Sequence, residues 1–279
     1  MSLPLAPFAS RASLLALLSL LAPLASCAGP RVRPFPPPPT WTLQEAAPER
    51  ELSGVKADLV AAPGRLWNDL GLVCSNDTSW IVMSGASAYA LAQEWLWESQ
   101  EEAFFKNHTM FSSTTQDILG FLGNGATLYA GALAWYFTAL ALEDERSYEA
   151  SKTMLTSLTL TGALTGLLKV TFPDGRPNGG HHDFPSGHSS MSMAAAATLD
   201  ELYGHDVGIP AYILSGLIGL QRLDTGKHDT GAVVFGWALG WIVGHSVAAH
   251  HAPRIFGMEL GVLIDPENGG VGLSLTGGL

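Results

Sequence analysis

Residues 183–190 read DFPSGHSS. A proline, a serine, a glycine and a histidine stand directly before a Met-, Ser- and Ala-rich run, 188–203, that reads as a helix. The first turn of a helix has free backbone N–H groups and the positive end of the dipole, and both favour an anion. Gly187 lets the backbone approach such an anion with no side chain in the way. His188 adds a group whose proton affinity lies near neutrality. The stretch therefore reads as an anion cradle with an acid attached, and the flanking sequence has to supply cations.

Cations are scarce in this chain, which makes their placement informative. Six Lys or Arg residues lie between positions 107 and 253, and four of them, Lys169, Arg176, Arg222 and Lys227, sit in two short blocks around the cradle. Taken singly, each would pass as a solvated helix end, where basic residues also suit the dipole. Together they form an ordered set: KVTFPDGRP at 169–177, PSGH at 185–188, and RLDTGKH at 222–228. A transferring phosphoryl group spreads charge over three equatorial oxygens, and Lys169, Arg176 and Arg222 can meet that charge from three directions. Arginine suits the task because its planar fork donates two parallel hydrogen bonds.

The order and spacing of these blocks resemble the type 2 phosphatidic acid phosphatase family, which shares its fold with bacterial non-specific acid phosphatases and vanadium haloperoxidases. The resemblance covers about residues 115–250. It implies an all-α bundle and a phosphatase that needs no metal and no other cofactor. It implies that His228 is the nucleophile, forming a phosphohistidine, and that His188 protonates the leaving oxygen and then activates water. Lys169, Arg176, Ser186, Gly187 and Arg222 would hold the phosphate.

Two positions depart from the family pattern. Gln221 stands where a serine usually precedes the arginine of the third block. Ala232 stands where an aspartate usually follows the nucleophilic histidine by four residues, one helical turn, to face its imidazole. Asp229 reads as the cap of the following helix, and Asp224 is a carboxylate in the turn before. His181 and His182 lie in a loop beside the site and read as solvated. His245, His250 and His251 read as surface residues beyond the last helix.

Outside these blocks the chain is greasy, with 47% apolar and 14% charged residues, against about 25% charged in a typical soluble domain. The net charge of −11 argues against a nucleic-acid partner. Residues 1–26 read as an export signal with a short apolar core. LASC at 24–27 resembles a lipobox, which would make Cys27 the acylated mature N-terminus. Residues 27–40 include AGPRVRPFPPPPT, a stiff proline-rich tether.

Residues 41–114 are expected to be an N-terminal helical and irregular region, of which 41–79 are mixed and weakly periodic, with short helices and loops. The core domain is expected over 115–252. About six helices are expected in all: 80–97, 118–142, 154–168, 188–203, 209–221 and 229–249. Residues 118–142 carry no charge and are long enough to span a bilayer. The tail, 253–279, alternates with period two on both sides of DPENGG and reads as a C-terminal β-hairpin.

The leading expectation is an exported, membrane-anchored phosphatase of the bacterial envelope, on the periplasmic side, acting on a phosphorylated lipid or small phosphate ester. The alternatives are an inactive lipoprotein of the same fold that binds an anionic headgroup, favoured by Ala232, and a vanadate-dependent haloperoxidase using the same cradle.

Overall fold

The computed structural model describes residues 53–172, 175–181, 183–251, 258–264 and 271–277. The expected signal peptide, Cys27 and the tether lie outside the described residues. Among these residues the chain forms helices α1 (Ser53–Ser75), α2 (Asp77–Leu96), α3 (Glu98–Asn107), α4 (Ser113–Leu122), α5 (Gly125–Ala141), α6 (Glu145–Thr171), α7 (Gly187–Tyr203), α8 (His205–Asp224) and α9 (Thr230–His251). Strands β1 (Met258–Ile264) and β2 (Val271–Gly277) pair antiparallel, Met258 opposite Gly277 and Ile264 opposite Val271. The turn between the strands and the packing of their side chains lie outside the described residues.

The helices outnumber the six expected, for local reasons. Residues 53–75 form one continuous helix, with Pro63 inside it, rather than short pieces. Its period is blurred because Leu59, Val60 and Trp67 are exposed while Asp69 and Val73 are buried. A polar knot holds it in place. The Asp58 carboxylate accepts from Tyr136 Oη at 2.8 Å and from Tyr148, and pairs with Arg65 and Lys152 at 3.3 and 3.6 Å. The uncharged run 118–142 is not one helix. Gly123 caps α4, the Asn124 side chain caps α5 by accepting from Ala126 N–H, and the two helices bend by 53°. A Cβ on Gly123 would fall 2.4 Å from Ile218 and 3.3 Å from His188, so the break is where α8 and the histidine come close.

Helix α9 is the hub, packed against α7, α2, α6 and α1. This explains why it is apolar all round, as the central helix of a bundle must be. Gly236, Gly240 and Gly244 recur every four residues and face α7. A Cβ on each would fall 2.7, 2.1 and 2.4 Å from the carbonyl oxygens of Ser186, Ser190 and Ala194. Only glycine permits that approach. The ends of α7 and α9 that carry the site are thereby drawn together. Below them Phe184 packs between Phe172, edge to face, and Phe235, tilted, with centroids 5.6 and 4.5 Å away.

Helices α6 and α9 are long and apolar enough to cross a membrane, and the bent pair α4–α5 adds a third if it is one span. Val207, Ile209, Ile213 and Leu217 on α8 and Leu133 and Phe137 on α5 are exposed apolar side chains.

Candidate functional site

The three sequence blocks meet at one end of the bundle, and backbone hydrogen bonds tie them together. Asn178 N–H donates to the Gly226 carbonyl and Ser186 N–H to the Ala232 carbonyl, each at 3.0 Å. In the third block, Lys227 N–H and His228 N–H both donate to the Arg222 carbonyl, which folds the chain back on itself. Gly226 makes that turn possible with φ +59°, a left-handed conformation that suits glycine.

Ser186 is the N-cap of α7. Its fully buried hydroxyl accepts from Ser189 N–H and Ser189 Oγ–H. It finishes the helix by accepting, and the amides of Gly187 and His188 are the first-turn donors that this cap does not use. A Cβ on Gly187 would lie 3.9 Å from Lys169 Cε, which brings the end of α6 to the start of α7. Lys169 Nζ also reaches the Asp183 carbonyl at 3.4 Å.

Arg222 is 5% exposed and, besides Lys169 and Arg176, is a neighbour charge felt by His228. Burial, and then the nearby Arg176, push the Arg222 guanidinium down to about 10. Both Arg176 Nε and Arg222 Nε are buried donors with no acceptor among the described residues. Two like charges with unsatisfied donors in a poorly solvated place are costly unless an anion lies between them. Lys227 joins them. Its ammonium is pushed down by burial, then by Arg222 and Arg176.

The proton affinities of His188 and His228 are both pushed down from the usual histidine range. Burial comes first for each. Arg222, His228 and Lys227 then depress His188 to about 4, against a hydrogen bond with the Gly120 backbone that favours its proton. Lys169, Arg222 and Arg176 depress His228 well below the usual histidine range, with Asp229 opposing. His188 lines a polar cavity of about 420 Å³ with Gln116, Asp117, Asn124, Arg222 and Lys227. His228 lines another, of about 500 Å³, with Glu101, Glu102, Lys106, Asn178 and Asp224.

The sequence left His228 without its usual carboxylate, and the structure corrects this. Asp183 Oδ1 lies 2.8 Å from His228 Nδ1, both side chains are buried, and 45 residues separate them in the chain. Asp224 does not reach the histidine. Its carboxylate is engaged with Met110 N–H, Phe111 N–H and Gln116 Nε2 at 2.6, 3.1 and 2.8 Å, clamping the segment before α4. Asp229 caps α9, accepting from Ala232 N–H at 2.6 Å.

Glu101, on α3, adds a second acid at the start of α9. It accepts from Thr230 N–H and from Thr230 Oγ1–H, each at 2.6 Å. Gln221 Nε2 donates to the Gln116 carbonyl at 3.0 Å and so ties α8 to α4. His181 is exposed, and His182 lies outside the described residues. His245 and His251 belong to α9 itself and meet Glu201 and Asp69, at 2.5 and 3.2 Å, rather than standing free beyond its end.

The sequence model described as PAP2 superfamily matches residues 178–255, a span that takes in Ser186, Gly187, His188, Arg222 and His228 but not Lys169 or Arg176. No curated protein matches the chain. The fold is similar to the crystal structure of a transmembrane PAP2-type phosphatidylglycerolphosphate phosphatase from Bacillus subtilis. The TM-score is 0.54 and the identity 19%, and the match covers 62% of this chain and 94% of that one.

Proposed function

We propose that the protein is a PAP2-type phosphatase that hydrolyses a phosphate ester through a phosphohistidine intermediate. One observation carries the proposal: two histidines and three cations, drawn from three separate segments, converge where two buried guanidinium donors have no acceptor among the described residues. Lys169, Arg176, Arg222 and the first-turn amides of α7 hold the three non-bridging oxygens, and Lys227 adds to the field. Because Nδ1 of His228 is engaged by Asp183, Nε2 is the nitrogen that attacks phosphorus. The Nε2–P bond forms as the P–O bond to the leaving group breaks, and His188 delivers a proton to that oxygen. In the second half, His188 takes a proton from water, the water oxygen attacks phosphorus, and the Nε2–P bond breaks to release phosphate and restore His228.

His188 at about 4 is a poor proton carrier in the bare cradle. A bound phosphate dianion offsets Arg222 and Lys227 and raises its proton affinity, so the acid becomes protonated when the substrate arrives. The polar cavity beside His188 suits a leaving group with a polar headgroup.

A phosphorylated lipid is the substrate class we favour. The fold likeness to a lipid phosphatase, the apolar helices α6 and α9, and the exposed apolar side chains of α5 and α8 support it. In this reading the chain is exported, acylated at Cys27 and held at the envelope membrane by its tether. Haloperoxidase chemistry has no observation of its own in its favour. The test is trapping. Denaturation at alkaline pH during turnover of a ³²P-labelled ester is expected to leave label on the parent protein and none on His228→Ala. Label retained by His228→Ala refutes the nucleophile.

A further inference from the structure

We propose that Asp183 is the positioning carboxylate of His228, relocated from the turn after the histidine to the segment before α7, so that Ala232 leaves no catalytic gap. This rests on the reading of His228 as the nucleophile. The Asp183 carboxylate is fully buried and reaches Nδ1 at 2.8 Å. An ionised carboxylate only accepts hydrogen bonds. It therefore fixes the tautomer in which Nδ1 carries the proton and Nε2 presents its lone pair.

As the Nε2–P bond forms and the leaving oxygen departs, the ring keeps its Nδ1 proton and acquires a positive charge. The Asp183 carboxylate faces that charge with one negative charge, and no proton needs to cross to it.

The segment is built to hold Asp183 still. Its own carbonyl meets Lys169 Nζ, the next residue, Phe184, is wedged between Phe172 and Phe235, and Ser186 N–H is tied to the Ala232 carbonyl. Position 232 is in turn unsuited to a carboxylate. Ala232 is fully buried in the apolar cluster of Phe184 and Phe235. Asp183 thus weakens the case for an inactive lipoprotein.

The experiment has two arms on the full chain. The first needs no substrate: ¹⁵N-imidazole spectra of the parent, with the His228 signal assigned by its loss in His228→Ala. The expected state is neutral with Nδ1–H. A dominant Nε2–H tautomer overturns the proposal, whether or not Asp183 variants fold. The second arm compares Asp183→Asn with His228→Ala. With folding checked by melting, Asp183→Asn is expected to lose at least about 100-fold in kcat, short of the roughly 10⁴ seen for the carboxylate of a serine protease triad. Inhibition by inorganic phosphate should stay close to the parent's, because the cations remain. If His228→Ala is inactive while Asp183→Asn keeps the parent's kcat, the positioning role fails and the phosphatase reading stands. If His228→Ala turns over like the parent, the nucleophile reading fails and this proposal falls with it, whatever the tautomer.

Discussion

Arg222 and His188 set the character of the site at the scale of single residues. Arg222 is a buried cation beside another cation, and its Nε has no acceptor among the described residues. Such a group binds anions at a cost to the bare fold. Arg222→Met keeps much of the volume and removes the charge. It is expected to melt above the parent in anion-free buffer and to weaken sulfate binding at least about tenfold, worth about 1.4 kcal/mol. A variant that binds sulfate like the parent contradicts the cradle.

His188 supplies the pH dependence. Its folded proton affinity lies below the unfolded value, 6.5 against about 4, so the unfolded chain binds more protons between those pH values. Its contribution to stability is present above pH 6.5 and lost as pH falls towards 4. Sulfate stays a dianion throughout and raises the affinity of His188 for its proton. Melting should therefore fall with pH in that window, and fall less when sulfate is present. Calorimetry in buffers of different ionisation enthalpy should find protons taken up on sulfate binding. Binding with no proton uptake refutes this coupling.

At the scale of elements, the site depends on how closely α7 and α9 approach. Both helices begin at the site, and the glycine stripe on α9 lets the carbonyls of α7 lie where a Cβ would stand. Gly240→Ala places a methyl 2.1 Å from the Ser190 carbonyl oxygen, so the helices must separate. The expected loss is about 1–3 kcal/mol of stability, typical of overpacking. Turnover should fall with it, because His188 rides on α7 and His228 stands in the turn that leads into α9. Thermal melting and kcat measured on the same sample check this, and an unchanged melting temperature refutes it. The start of α9 is also reinforced from outside, by Asp229 and by Glu101 of α3, two carboxylates at a positive dipole end.

At the scale of the whole molecule, apolar surface on α5 and α8 and the length of α6 and α9 fit a protein that works against a bilayer. Anchoring adds a separate expectation. Mass spectrometry of the membrane fraction should find the mature N-terminal peptide beginning at Cys27 with added acyl mass. An unmodified terminus elsewhere refutes the lipobox. More than one acyl chain is needed for stable attachment, since a single chain is marginal.

The sequence by itself singled out the residues of the candidate site, cations, cradle and two histidines, legible because each block is short and its spacing is local. It also determined that the chain is mainly helical, through long uncharged runs. It misplaced what depends on distant contacts. The run 118–142 looked like one helix because nothing in it announces Ile218, which packs where the break occurs. Residues 53–75 looked irregular because their partners Tyr136 and Tyr148 lie elsewhere in the chain. Asp183 stands beside the cradle in the sequence, but its partner is not legible there, because the periodicity of a helix predicts only neighbours on that helix. Its pairing with His228 joins positions 45 residues apart. Only tertiary structure decides such a contact, since it exists only once α7 and α9 are packed and Phe184 is wedged beneath them.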